Sequence, residues 1–112
     1  MPAHYRLSRA DFTRMRGFKR VHGTLFSLSF GTLPDRSSPG FACVVSAKIA
    51  PRANTRNLIK RRARAAVQRA LPRLSPGVAL VFYAKKPATE ADAARIRSEI
   101  FALARKSGNS ID

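Results

Sequence analysis

The side chains in this chain best equipped for chemistry lie in one stretch, Asn54 to Leu71, NTRNLIKRRARAAVQRAL. Arg56, Lys60 and Arg64 follow one another at i, i+4 and i+8, and Arg61, Arg62 and Arg69 widen the charge. On a helix, like charges four apart repel by a few tenths of a kcal/mol each. No acid nearby relieves that, so the arrangement fits a polyanion supplied from outside.

Groups that could cut or transfer bonds are sparse. A metal-dependent protein nuclease needs clustered carboxylates. The six acids here are dispersed: Asp11, Asp35, Glu90, Asp92, Glu99 and Asp112, with none between residues 36 and 89. Asp11 and Asp92 read as helix-start residues. His4 and His22 have no partner at a recognisable spacing. There is no nucleophile elbow, no Gly-rich phosphate loop and no CxxC pair. Cys43, alone in the apolar FACVVSA, reads as a buried free thiol. The residues thus predict binding of RNA or DNA, no catalytic residue and no metal ligand on the chain.

Composition agrees. The chain has 112 residues, with 22 Lys and Arg against 6 Asp and Glu, a formal net charge of +16. Such a field favours nucleic acid or an anionic membrane surface. No apolar run approaches the roughly 18 residues of a span, and an alanine-rich stripe suits a protein core better than lipid. With no signal peptide visible and no disulfide possible, a cytoplasmic location and no membrane partner are expected.

The elements that must position the cations follow from periodicity. At 3.6 residues per turn, Ile59, Ala63, Ala66, Val67, Ala70 and Leu71 form an apolar stripe opposite the charge. Asn54 or Thr55 can cap this helix and Pro72 marks its end. Before it, residues 1–7 read as a loose basic lead-in. Ser8 to Asp11 has capping-box spacing for a short helix from about Arg9 to Met15, broken by Gly17. Residues 20–33 read as one strand, with Phe26, Leu28 and Phe30 on a buried or ligand-facing side and Ser27 and Ser29 on the other. Residues 34–40 turn, and 41–47 form a second strand, most simply antiparallel to the first. Val78 to Ala84, the most apolar run, is the central strand. Thr89 to Asp92 repeats the capping-box spacing before a last helix with Ala93, Ile96, Ile100 and Leu103 at core spacing, ended by Gly108; the tail beyond it reads as frayed. The expectation is one RNA-binding domain over residues 1–112, an α+β fold with a small mixed sheet packed with three helices in α-β-β-α-β-α order.

Of the aromatics, most belong in a core. Phe12, Phe18 and one face of the first strand, however, are flanked by Arg14, Arg16, Lys19 and Arg20. Aromatics among cations suit single-stranded nucleic acid, whose bases stack while phosphates pair.

The run VVSAKIAPRANTRNLIKRRARAAVQ, followed by VALVFYAKKPA, resembles the protein subunit of bacterial ribonuclease P. That family carries a basic helix of the form R-N-x-x-K-R-x-x-R, here Arg56-Asn57-Leu58-Ile59-Lys60-Arg61 and then Arg64. The early Asp11-Phe12 and the strand with Phe26 and Leu28 also fit, and the likeness covers roughly residues 7–107. Leu58 stands where another arginine is frequent, and Arg16 where a second aromatic is common. The resemblance implies a small basic accessory of a catalytic RNA that removes the 5′ leader of precursor tRNA, an endoribonuclease whose Mg²⁺ is held by the RNA. It implies a left-handed βαβ crossover around the basic helix, against the usual hand. Its partners would be the catalytic RNA and precursor tRNA, with no obligate protein partner. Lys48, Arg52, Arg56, Asn57, Lys60, Arg61 and Arg64 would meet RNA, and Phe12, Phe26 and Phe30 would line a leader cleft. Two other classes compete: a structural RNA-binding protein such as a ribosomal protein, and a protein-only nuclease.

Overall fold

A computed structural model describes residues 2–111. Its elements are α1 (Arg9–Thr13), β1 (Lys19–His22), β2 (Phe26–Thr32), β3 (Gly40–Val44), α2 (Ala53–Val67), β4 (Val78–Ala84) and α3 (Ala93–Lys106). Short 3-10 turns occupy Ala3–Tyr5, Leu71–Arg73 and Lys86–Glu90. The strands lie in the order β1-β2-β4-β3. β2 pairs antiparallel with β1 and with β4, and β3 runs parallel to β4. The sheet is therefore mixed, with α2 carried between its parallel pair, and the α+β class expected from the sequence is the one observed.

Three local expectations are corrected. Residues 20–33 are not one strand but a hairpin, turning at Gly23 to Leu25, so the sheet has four strands. β2 and β3 are not partners: β4 lies between them, because the long connection through α2 lets the most apolar strand take the centre. The central place of β4 follows from Val81, Phe82, Leu80 and Ala79, all 0 % exposed, which only a strand covered on both faces can achieve.

One face of the sheet packs on α2 and α3. Leu28 of β2, Leu80 and Phe82 of β4 and Phe41 of β3 meet Ile59, Ala63 and Val67 of α2 and Ile96, Ile100 and Leu103 of α3 in a single core. Phe82 sits edge-on to Phe26 with centroids 6.2 Å apart and tilted to Phe41 at 6.0 Å. Burying an aromatic of this size contributes about 1.5–3 kcal/mol. The alanines of α2 allow the helix to lie close on the sheet. Ala93 is exposed, whereas Ala104 takes the core position.

The helix ends are set locally. Ser8 caps α1: its hydroxyl accepts from the Asp11 N–H at 3.2 Å, and the Asp11 carboxylate accepts from the Ser8 N–H at 2.7 Å. α3 starts at Asp92, which accepts from the Arg95 N–H at 2.8 Å. Thr89 is not its cap; its hydroxyl donates to the Lys86 carbonyl at 2.8 Å. At the other end, Gly108 takes φ +85°, and the Asn109 N–H returns to the Ala104 carbonyl at 2.9 Å, a Schellman closure. Beyond it Ile111 is buried, so the tail folds back and is not frayed there.

Neither end of the chain is slack where it is described. Arg6 bridges to Phe41, and the Leu7 N–H donates to the Phe41 carbonyl at 3.2 Å. Leu7 lies over Gly40, where a Cβ would be 2.2 Å from its side chain. Residues 3–7 are therefore built into the margin of β3 and are not a loose lead-in.

Candidate nucleic-acid interface

α2 is capped two residues before Asn54 and three before Thr55, the expected caps. Its N-cap is Arg52, with no side-chain cap bond. Asn54 and Thr55 already lie inside the helix, and Arg56 secures the entry from the other direction. Its Nη1 donates to the carbonyls of Ala50 and Pro51, both at 2.8 Å. Arg56 is thus half-buried and partly committed to the backbone, a structural task that its place in the basic repeat does not reveal.

The remaining cations of α2 divide along the helix. Asn57 and Arg61 are exposed at the crest, opposite the buried stripe. Lys60 and Arg64 lie on the flank toward β3 and, with Arg6 and Cys43, line a cavity of about 270 Å³. Arg62 and Arg69 lie on the flank toward α3. Lys48 and Arg52 are exposed on the approach. Among the described residues no cation of α2 is in an ion pair; the pairs seen at Asp11 and Asp35 go to Arg14 and Arg36. Cys43 faces the Lys60 and Arg64 flank, but burial pushes its thiol up to about 12, outweighing the two cations, so it stays protonated.

The opposite face of the sheet carries a second arrangement. Successive strand residues alternate, so the positions not facing α2 and α3 are Arg20 and His22 on β1, Ser27, Ser29 and Gly31 on β2, and Val81 and Tyr83 on β4. The Arg20 guanidinium lies 4.7 Å from the centre of the Tyr83 ring, and His22 Nδ1 is 2.9 Å from Ser27 Oγ. Phe18 lies on Gly31, where a Cβ would be 2.4 Å from its ring; only glycine allows that approach.

Among the expected cleft aromatics, Phe26 is corrected outright: it is 0 % exposed and belongs to the core on the helix-packed face. Phe30 points to the same face and packs partly against that core. Phe12 is half-buried on α1. The aromatics on the other face are Phe18, already singled out by its flanking cations, and Tyr83, which was not. Ser27 and Ser29 marked this side as the polar one, although Ser27 is itself buried.

α1 is tied to the loop after β2 by Asp11. Its carboxylate meets Arg14 at 2.6 Å and Arg36 at 2.8 Å. Burial pushes the Asp11 carboxyl up, but the Ser8 N–H, the Arg14 guanidinium, the Ser8 hydroxyl and the Arg36 charge outweigh it and hold it below its ordinary value.

No helix of the described residues is long and apolar enough to cross a membrane. Among curated proteins, none matches the chain significantly in sequence. Solved structures do match in fold. The RNase P protein from Staphylococcus aureus aligns with TM-score 0.82 at 21 % identity, covering 96 % of this chain and 98 % of that one. The RNase P protein from Thermotoga maritima aligns with TM-score 0.75 at 24 % identity, covering 90 % and 96 %. The profile of the family described as Ribonuclease P matches residues 1–108, and with an uncommitted basic helix beside a mixed sheet, this chain belongs to that family.

Proposed function

We propose that the chain is the protein component of ribonuclease P, binding the catalytic RNA through α2 and the single-stranded 5′ leader of precursor tRNA on the sheet face beside α1. The observation that carries this is the state of α2: Asn57, Lys60, Arg61 and Arg64 are turned away from the core, and among the described residues none of the helix's cations is in an ion pair. Each phosphate they meet releases condensed counterions, which is the main source of affinity for a backbone. On the other face, Phe18 and the Arg20–Tyr83 stack offer flat surfaces for unpaired bases among cations.

In this reading Mg²⁺ belongs to the RNA. Three of the chain's acids already have other tasks. Asp11 is tied to two arginines, Asp92 caps α3, and Glu99 accepts backbone N–H groups. No three His, Cys, Asp or Glu side chains gather to hold a metal among the described residues. The protein's part is to hold and orient RNA, not to supply the reacting groups.

The test is precursor-tRNA cleavage by the cognate catalytic RNA at limiting Mg²⁺. Added chain should restore cleavage, and the chain alone should give none. Folded protein that leaves the rate unchanged, or that travels with ribosomal particles and not with the tRNA-processing RNA, would overturn the reading in favour of a structural RNA-binding protein.

A further inference from the structure

The flank of α2 turned toward α3 is a second, separate feature. Between the two helices runs a trough whose floor is Ala65, Ala66, Ala93 and Ala94. Its first part has a volume of about 440 Å³ and is walled by Arg61, Arg62 and Arg97. It continues, past the shared Ala65, Ala66 and Arg97, into a part of about 390 Å³ walled by Arg69 and Arg73 and closed by Phe101 and Ile111.

Apart from Arg62, the arginines of this trough are as uncommitted as Arg61 at the crest. Arg62 Nη1 donates to the Ala91 carbonyl at 2.9 Å, which ties α2 to the start of α3. Arg61, Arg69, Arg73 and Arg97 are exposed. None of the five is in an ion pair, among the described residues. The acids of α3 do not answer them: Asp92 is spent on its own helix N–H, and Glu99 on the β1–β2 hairpin at the other side of the helix. Keeping several unpaired guanidinium groups along one trough costs stability through repulsion unless an anion enters.

We infer that the α2–α3 trough is a second RNA-backbone site, adjoining the crest at Arg61 and separate from the β3 flank of α2. Alanine floors let a sugar–phosphate chain approach closely, while arginines on both walls present forked donors to its phosphates. The walls run lengthwise: Arg61 and Arg62 stand on α2, Arg69 in the turn just past its end at Val67 and Arg73 beyond it. The inference goes beyond the assignment of the basic repeat, because Arg69, Arg73 and Arg97 lie outside it. An acidic protein segment could also engage the forks, since a carboxylate accepts two bonds from a guanidinium. A net charge of +16, with the arginines continuing beyond the basic repeat, favours a nucleic-acid backbone, and polyglutamate binding separates the two.

The experiment measures binding of the full chain to an oligouridylate as a function of salt. Arg69→Ala with Arg97→Ala removes two charges from the trough. Arg95→Ala with Lys106→Ala removes two exposed charges from the other side of α3 and serves as the matched control. If the trough holds backbone, the first pair lowers the log–log salt slope by about 1.4, at roughly 0.7 per contact for a single strand, and the control lowers it by less than half as much. Equal falls would mean that only total charge counts and would overturn the site. Polyglutamate that binds the wild-type chain and is weakened by the trough pair, while oligouridylate binding is unchanged by that pair, would also overturn it, in favour of an acidic partner. If the alanine pair does not fold, Arg69→Gln with Arg97→Gln gives the same reading. The assay needs neither the catalytic RNA nor cleavage, so failure of the ribonuclease P reading would leave it standing.

Discussion

Arg36 donates to Asp11 at 2.8 Å, and the side chains are only 12 % and 7 % exposed. The same guanidinium also donates to the His4 carbonyl at 2.7 Å. One arginine thereby ties α1, the amino-terminal turn and the loop after β2 together. Asp11→Asn leaves Arg36 with a neutral partner and should cost about 2–3 kcal/mol, toward the low end for a broken buried pair because Arg14 is half in solvent. The pH dependence has a definite sign. The Asp11 carboxyl is held below its ordinary 3.8 in the folded chain, so the unfolded chain takes up the proton first as pH falls. Its contribution is whole above that ordinary value and is lost as pH drops through the folded one. Urea unfolding across acid pH should show this loss in the wild type and a flatter profile in Asp11→Asn.

Glu99 performs a similar task at the hairpin. Its Oε2 accepts the N–H groups of Leu25 at 2.6 Å and Phe26 at 2.7 Å, and Oε1 that of Thr24 at 3.0 Å. Glu99→Gln replaces one of the two acceptor oxygens with a donor and removes the charge. A loss of about 1–3 kcal/mol is expected, together with faster hydrogen exchange at residues 24–26. Unchanged exchange there would show that α3 does not hold the turn.

The two faces of the sheet should separate stability from binding. Phe26→Ala opens a cavity in the core and should cost about 3–5 kcal/mol. Tyr83→Ala should leave most of the stability and weaken binding of a single-stranded leader by about 1–3 kcal/mol, the worth of one stacked base. Paired unfolding curves and leader titrations distinguish the two; equal binding losses at matched folding would place the leader elsewhere.

Along α2, Lys60→Ala and Arg64→Ala should each lower the salt slope for the catalytic RNA by about 0.7–0.9 with little change in unfolding midpoint. Arg56→Ala should differ, costing about 1 kcal/mol of stability because it also releases the carbonyls of Ala50 and Pro51. A slope that ignores Lys60 and Arg64 would mean that this flank meets no phosphate.

Local patterns carried the reading of the sequence furthest. The Ile59, Ala63 and Val67 spacing and the Ser8–Asp11 box are short-range signals, and both are realised. Choices that depend on distant chain were less legible. Nothing near Phe26 says which side of β2 the helices will cover, so the side with Phe26 and Phe30 stayed open between core and ligand until the structure turned both toward the helices. Chain order suggested pairing β2 with β3, whereas burial of Val81 and Phe82 on both faces demands that β4 come between. Asn54 and Thr55 are good capping residues, yet the helix starts before them because Arg56 reaches back to the incoming carbonyls. The basic repeat announced the cations but not the division of α2 into a crest and two flanks, which appears only when α3 and the Arg6 segment stand on either side.

The seating of Arg6 and Leu7 against Phe41 has a consequence for handling the protein. β3 is the last strand of the sheet, and this segment is what runs along its open side. Stripping it would bare unpaired donors and acceptors to any neighbouring chain, the usual route to strand-to-strand aggregation. A version shortened to begin at Ser8 should therefore self-associate as its concentration rises, and a bulky fusion placed just ahead of Ala3 should do so to a lesser degree.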